Sequence, residues 1–159
     1  MGPHKDCIDI ITELGGITDV NAAQRVFEDT IDAENLAKLK RIQNPKVLQK
    51  IANAIKLCQP DAVFIDTGSE ADRQFVRELS LKKGEESPLP MPGHTIHFDL
   101  KEEQGRIIDR TYYIYNQGEE VSSLAQKMDR AEVLEDIREK MSGIMNGKIM
   151  MVGFFLRGP

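Results

Sequence analysis

The tetrapeptide DTGS at residues 66–69 follows a short apolar run, as does the catalytic loop of an aspartic protease. That chemistry needs two carboxylates sharing one proton, so one copy per chain would require a symmetric dimer of all-β subunits. Here a helical pattern follows at once. This favours a capped turn in which Asp66 ends a strand, Gly68 turns the chain and Ser69 caps a helix, with Asp72 as a short capping-box residue. A homodimeric protease and a weak anion site on the turn's N–H groups are the alternatives.

His94 and His97 form an H-x-x-H pair, with Asp99 close by in the sequence. On a helix this spacing could bind a metal ion. The segment 94–100 instead alternates as strands do, and on a strand the two imidazoles would point to opposite faces. We therefore expect ordinary strand residues here and no metal site.

The segment GIMNGKI at residues 143–149 looks like a phosphate-binding loop. That loop requires an initial Gly, a final Ser or Thr, and a position between a strand and a helix. Ser142 stands at the first position, Ile149 stands at the last, and the predicted order is helix then strand. The pattern therefore argues against a nucleotide loop.

Arg106 follows a predicted bend at Gly105 and begins a predicted strand. The planar guanidinium of arginine matches a carboxylate or phosphate with two parallel hydrogen bonds. Taken alone, Arg106 is interpreted as a surface residue, as are Arg110 and Arg157. The tyrosines on the same strand are expected to pack in the core and at its rim.

Helices and strands alternate along the chain and must position these residues. Asn44 and Gly84 are predicted to cap two of the helices. The interleaved order predicts an α/β fold with mixed α+β layers. We expect one domain over 1–159, with a helical lead-in over 1–44 and a mixed body over 45–159. Helices are predicted at about 18–30, 32–43, 45–58, 69–84 and 129–145, and strands at about 61–66, 94–100, 109–115 and 148–156.

The composition is that of a soluble globular protein, with 40% hydrophobic and 30% charged residues. A net charge of -5 provides no general basic field for nucleic acid, and the basic cluster 38–41 is expected to be a solvated helix face. The positions of Cys7 and Cys58 do not suggest a disulfide framework, which fits the reducing cytoplasm. Cys58 is interpreted as a small buried apolar residue. The chain lacks an apolar run of the ~20 residues that span a bilayer.

Three stretches together resemble the N-terminal lobe of the GTP-dependent phosphoenolpyruvate carboxykinases. Residues 58–79 (CQPDAVFIDTGSEADRQFVREL) are similar to that family's Cys-Gln-Pro, strand, Asp-Gly-Ser-Glu turn and helix. Residues 105–117 (GRIIDRTYYIYNQ) resemble its Ala-Arg-(Ile/Val) strand, and residues 144–159 (IMNGKIMMVGFFLRGP) resemble its Gly-Arg-Thr-Met-Tyr-Val motif. The resemblance extends from about residue 45 to the end of the chain.

The sequence departs from the family pattern at several positions. Thr67 is an extra residue in the turn, Lys148 replaces an arginine, Gly153 replaces a proline, and 156–157 replace Ser-Met. The segment 116–143 is poorly matched. These departures indicate a divergent, archaeal-type branch.

The resemblance implies a reaction in which oxaloacetate and GTP give phosphoenolpyruvate, GDP and carbon dioxide, as in gluconeogenesis. A divalent metal, Mn²⁺ or Mg²⁺, and nearby cations would stabilise the enolate left by decarboxylation. In this family an arginine of the second stretch holds the substrate carboxylate. The matching residue here is Arg106.

The resemblance also implies that much of the enzyme lies elsewhere. The family's phosphate loop, metal ligands, guanine pocket and reactive cysteine belong to a longer chain. We therefore expect a truncated N-terminal lobe without catalytic residues of its own, completed by the remaining C-terminal part and binding neither GTP nor metal alone. The apolar strand before Gly158-Pro159 is expected to lead into more protein. A non-enzymatic binding or assembly module of the same fold is the alternative.

Overall fold

The computed structural model describes residues 9–100, 105 and 107–155. In these residues helices and short strands interleave, which confirms the predicted mixed α/β class. The helices are α1 (Ile10–Gly15), α2 (Val20–Thr30), α3 (Ala33–Leu39), α4 (Pro45–Cys58), α5 (Glu70–Lys83) and α6 (Arg130–Met141). The strands are β1 (Ala62–Ile65), β2 (Ser87–Pro88), β3 (Thr95–Ile96), β4 (Tyr113–Tyr115), β5 (Lys127–Asp129) and β6 (Ile149–Val152), with a 3₁₀ turn at Ile108–Arg110.

The ends of α4 and α5 follow from local chemistry. The Asn44 side chain accepts a hydrogen bond from the Lys46 N–H, and Pro45 takes the first helical position. Gly84 ends α5 with a φ of 77°, in the left-handed region that glycine tolerates best. The caps predicted from the sequence are confirmed at both places.

The last helix is shorter than predicted. It ends at Met141, and the chain then turns at Gly143, whose φ is 66°. The reason is a competing set of hydrogen bonds: the Gly143 N–H donates to Leu57 O at 3.0 Å and the Met145 N–H donates to Cys58 O at 2.9 Å. These bonds satisfy the free carbonyls at the end of α4, so the turn replaces further helix.

Within the described residues the strands form three separate pairs. β1 and β6 are parallel, with Ala62 opposite Ile149 and Ile65 opposite Val152. β2 and β3 form a short antiparallel pair, so the strand predicted over 94–100 is only two residues long. β4 pairs in parallel with β5, a strand that the sequence pattern did not reveal.

One hydrophobic core lies between the inner face of the β1–β6 pair and the helices α1 to α4. Cys58 is buried in it, which confirms the reading of this residue as a small apolar side chain. On the other face, Phe64 stacks on Phe75 of α5 with ring centroids 4.2 Å apart. The apolar members of the core include Ile17, Phe27, Leu39, Ile51, Ile55, Val63, Ile65 and Met150. None of the helices described is both long and apolar enough to cross a bilayer.

Asn53, in the middle of α4, is fully buried and holds the α1–α2 connection in place. Its Oδ1 accepts from the Ile17 N–H at 2.7 Å, while its Nδ2 donates to Ile17 O and to Gln49 O, each at 2.8 Å. Gly15 is required beside it, because a Cβ there would lie 2.3 Å from the Asn53 Oδ1. The amide therefore pairs both backbone groups of Ile17, which are far from water.

An ion pair fastens α6 to α1. Arg130 donates through both terminal nitrogens to the Glu13 carboxylate, across 117 positions of sequence. The hydrogen bonds from Arg130 lower the pKa of Glu13. A two-pronged contact of this kind fixes orientation as well as distance.

We predict that Asn53→Ala lowers the free energy of unfolding by about 2–3 kcal/mol, because the Ile17 N–H and C=O lose their buried partners. Urea unfolding followed by circular dichroism measures the change. Gln49→Ala is the matched control. Its Nε2 donates to Thr18 O at the surface, and its loss should cost less than about 1 kcal/mol. Equal losses of unfolding free energy in the two variants would contradict the role given to Asn53.

Candidate functional site

The carboxyl ends of β1 and β6 lie side by side because the two strands are parallel. Asp66 follows β1 there, and Phe154 lies two residues after β6. In open α/β sheets, ligands usually bind at the carboxyl ends of the strands. A cleft of about 190 Å³ opens at the carboxyl ends of β1 and β6, and we name it the strand-end cleft. Its lining residues are Lys38, Arg41, Ile42, Ile65, Asp66, Thr67 and Phe154.

The turn after β1 has the predicted geometry. Asp66 Oδ1 accepts from the Gly68 N–H at 2.7 Å, and Ser69 Oγ accepts from the Asp72 N–H at 3.1 Å. Gly68 has a φ of 75°. The capped turn is therefore confirmed. The mixture of helices and strands around it differs from the all-β subunit that the protease alternative requires.

Asp72 was predicted as a capping-box residue, but its carboxylate binds other partners. Oδ1 accepts from the Nζ of Lys38 in α3 at 2.8 Å, and Oδ2 accepts from the N–H of Thr67, after β1, at 2.9 Å. The Thr67 hydroxyl also donates to Oδ2. Asp72 is only 4% exposed. The hydrogen bonds from Lys38, and then those from Thr67, hold the pKa of Asp72 well below its ordinary range.

These contacts also bear on the anion site that the sequence left open. The Thr67 N–H donates to Asp72, and the Gly68 N–H donates to Asp66. These two amides are thus bonded to the chain's own carboxylates and are not free to bind an anion. The anion site itself stays a prediction.

The prediction that residues 38–41 form a solvated helix face is wrong for Lys38. Its side chain is 18% exposed, bonds to Asp72, and approaches Glu34 within 3.4 Å. The ammonium also lies 4.7 Å from the centre of the Phe64 ring, a cation–π distance. The sequence signal was hidden, because the partner carboxylate is 34 positions away. Arg41 is exposed at the mouth of the cleft.

Arg106, the predicted substrate-binding residue, lies outside the described residues, as does Arg157. The bend before Arg106 is present, with a φ of 88° at Gly105. Arg110 lies in the 3₁₀ turn and is exposed. The core packing predicted for the tyrosines is wrong for Tyr113, which is 59% exposed, because β4 has only β5 beside it in the described part of the chain.

The histidine pair is not brought together as a chelate. His97 bonds through Nε2 to Asp99 Oδ1 at 2.9 Å and through Nδ1 to Glu85 O at 2.8 Å. Across residues 9–100, 105 and 107–155, there is no group of three or more His, Cys, Asp or Glu side chains placed to hold a metal ion. The described residues therefore offer no fit for the metal that the family resemblance implies.

The segment resembling a phosphate loop is a structural turn. The Gly147 N–H donates to Asp61 Oδ1 at 2.8 Å, across 86 positions of sequence. Lys148 then leads directly into β6, and its carbonyl accepts from the Asp61 N–H at 3.0 Å. The helix-then-strand order is confirmed, and the turn aligns β6 with β1.

Comparison with known proteins gives a consistent picture. The family model described as the phosphoenolpyruvate carboxykinase N-terminal domain matches residues 49–159. Curated relatives named "Phosphoenolpyruvate carboxykinase [GTP]" include those of Pyrococcus furiosus (37% identical), Thermococcus kodakarensis (39%) and Saccharolobus solfataricus (32%). The alignments cover 88%, 88% and 81% of this chain but 22%, 22% and 21% of the relatives. The chain thus spans about a fifth of their length.

We predict that Asp72→Asn destabilises the protein at pH 7 and flattens the fall of stability in acid. The pKa of Asp72 is lowered by folding, so its carboxylate adds stability above its unfolded pKa, about 4, and loses it as the pH falls further. Guanidinium unfolding between pH 7 and pH 2 measures both effects.

Asp136→Asn is the control, since Asp136 forms an exposed pair with Lys140 at 2.7 Å. It should shift the unfolding midpoint little at any pH. Identical pH profiles for Asp72→Asn and the parent chain would contradict the role given to Asp72.

Proposed function

The chain belongs to the phosphoenolpyruvate carboxykinase N-terminal domain family, and we propose that it is the N-terminal part of a GTP-dependent phosphoenolpyruvate carboxykinase. The complete enzyme would convert oxaloacetate and GTP into phosphoenolpyruvate, GDP and carbon dioxide. The observation that carries the proposal is the family match over residues 49–159, which extends from within α4 through β6. The names of the curated relatives support GTP as the nucleotide.

The arrangement of the strands supports the proposal. The stretch 58–79 contains β1 and its turn, and the stretch 144–159 contains β6. These two stretches, separated in sequence, meet as the parallel pair β1–β6. The third stretch, 105–117, contains β4. The segments that resemble the family thus supply the strands of both parallel pairs apart from β5.

The proposed role of this chain is to hold the substrate. Decarboxylation of oxaloacetate leaves an enolate, and a bound divalent metal would stabilise its negative charge. Before that step the carboxylate must be oriented, and a guanidinium does so with two charge-assisted hydrogen bonds. We assign this positioning to Arg106, on the basis of its place after the Gly105 bend in the second family-like stretch.

GTP and the Mn²⁺ or Mg²⁺ ion are assigned to the remaining part of the enzyme, which is the proposed partner of this chain. The carboxylates at and next to the strand-end cleft support this assignment, since both are already bonded within the chain. Asp72 is committed to Lys38 and Thr67, and Asp66 is committed to Gly68. A cytoplasmic location is part of the same proposal.

A non-enzymatic binding or assembly module is the second candidate. The observation that favours it is the pairing of Lys38 with Asp72 and Glu34 inside the chain. These ion pairs give Lys38 a structural role that requires no substrate. The two candidates differ in one respect: only the first predicts turnover when the rest of the enzyme is present.

A chimera separates the two candidates. This chain would replace the matching N-terminal fifth of the Pyrococcus furiosus relative in one polypeptide. We predict that the chimera forms phosphoenolpyruvate from oxaloacetate and GTP, as followed by ³¹P nuclear magnetic resonance. A chimera that is folded by circular dichroism and gel filtration yet inactive would favour the assembly module.

We predict that Arg106→Ala abolishes oxaloacetate binding in isothermal titration calorimetry and lowers kcat/KM of the chimera at least about tenfold, the effect of losing one charge-assisted contact. Arg106→Lys should recover only part, since an ammonium lacks the planar fork. Arg110→Ala is the matched control and should bind normally. Unchanged binding in Arg106→Ala would remove Arg106 from the site.

A further inference from the structure

The two outer edges of the β1–β6 pair differ. On the β1 side, the Ile65 N–H points away from β6 and donates to Asn35 Oδ1 at 2.8 Å, so α3 closes that edge. In β6, the Val152 carbonyl faces β1 and accepts from the N–H of Asp66, the residue that follows β1. Because alternate residues of a strand direct their backbone groups to opposite edges, those of Ile149 and Met151 point outward. In the part of the chain that the structure describes, β1 is the only strand beside β6.

The composition of β6 is that of an interior strand. Its sequence, Ile149–Val152, is apolar throughout. Strands that remain at an edge are usually protected by charged residues, proline or bulges, whereas interior strands of parallel sheets are continuously apolar. Yet the Met151 side chain is 44% exposed, and Phe155 just beyond the strand is 87% exposed.

A cavity of about 570 Å³ lies beside this strand, between β6 and α5, and its lining includes Val76, Leu79, Ser80, Lys83, Ile149 and Met151. We name it the β6 trough. Asp72 is the one buried residue of α5, and Phe75 is 37% exposed. The apolar side of α5 therefore overhangs a space that no described residue fills.

We propose that the free edge of β6 binds a third strand supplied by the rest of the carboxykinase, and that this strand lies in the β6 trough beneath α5. The inference rests on the proposed function. Neighbouring strands lie about 4.7–4.9 Å apart, which would bring apolar side chains of the added strand against Leu79 and Met151. Relatives about four times as long as this chain contain the polypeptide to supply it.

Two other occupants fit less well. The cavity volume would suit a small ligand, but such a ligand would leave the outward N–H and C=O groups of Ile149 and Met151 without strand partners. A second copy of the chain would need an intermolecular encounter. A strand of the same polypeptide is held near the trough at high effective concentration.

Hydrogen exchange by nuclear magnetic resonance tests the pairing directly. In the chain alone, the Val152 amide faces β1 and should be protected, while the Ile149 and Met151 amides should exchange rapidly. In the chimera described above, Ile149 and Met151 should slow by at least about a hundredfold, since ladder hydrogen bonds in a sheet exchange only on opening. Rapid exchange of both amides in a folded chimera would overturn the proposal, whether or not a small ligand binds the trough.

A charge placed at the edge provides a second test. Met151→Lys should leave the melting temperature of the chain alone unchanged, because the side chain is already exposed, and should lower that of the chimera by several degrees. Leu124→Lys is the matched control, since Leu124 is 95% exposed and belongs to neither β1 nor β6, and it should change neither. Equal melting temperatures for Met151→Lys and Leu124→Lys chimeras would contradict the proposal.

The outcomes separate this inference from the proposed function. An inactive chimera with slow exchange at Ile149 and Met151 would reject the carboxykinase activity and keep the third strand. An active chimera with rapid exchange at these amides would support the carboxykinase activity and reject the third strand. Slow exchange in the chain alone, together with dimerisation on gel filtration, would assign the edge to a second copy and overturn the proposal.

Discussion

The parallel pairing of β1 with β6 is the constraint on which the rest of the structure depends. It joins segments some 86 positions apart, and closing such a long loop costs entropy that later contacts must repay. The pairing is fixed at both ends by hydrogen bonds: Asp61 Oδ1 holds the Gly147 N–H, and the Asp66 N–H donates to Val152 O at 2.9 Å. The elements α5 and α6 lie between these two strands in the sequence.

Two buried amide side chains connect the helices to the parts of the chain that pack against them. Asn35 accepts from the Ile65 N–H and donates to Asp32 Oδ2, so it joins α3 to the sheet at one point. Asn53 joins α4 to the α1–α2 connection in a similar way. Both side chains are buried, where a satisfied polar group specifies one geometry and an unsatisfied one is costly. The carboxyl ends of the strands, with Asp72 and Lys38, are held in place by the same principle.

The sequence predicted features that depend on neighbours along the chain. The caps at Asn44, Ser69 and Gly84 were predicted correctly because capping needs only a few adjacent residues. Contacts over long separations were not foreseen, such as Arg130 with Glu13. The strand β5 is three residues long and contains one apolar residue, Met128, so it is too short for a periodic pattern to mark it.

The candidate site shows the same division. The turn at residues 66–69 was predicted from its own chemistry, whereas Lys38 was assigned to a solvated face because its partner Asp72 is distant in sequence. The extra residue Thr67 departs from the family pattern, and the structure gives it a use, since both its N–H and its hydroxyl donate to Asp72. The resemblance of three stretches identified the family, a conclusion that periodicity alone could not reach.

The register of β1 against β6 is tested most directly by cross-strand nuclear Overhauser effects in the isotope-labelled chain. The account predicts backbone contacts that pair Val63 with Met150 and Phe64 with Met151. Contacts displaced by one residue, or the absence of cross-strand contacts in a folded sample, would contradict it, because a one-residue shift would turn the buried face of β6 outward.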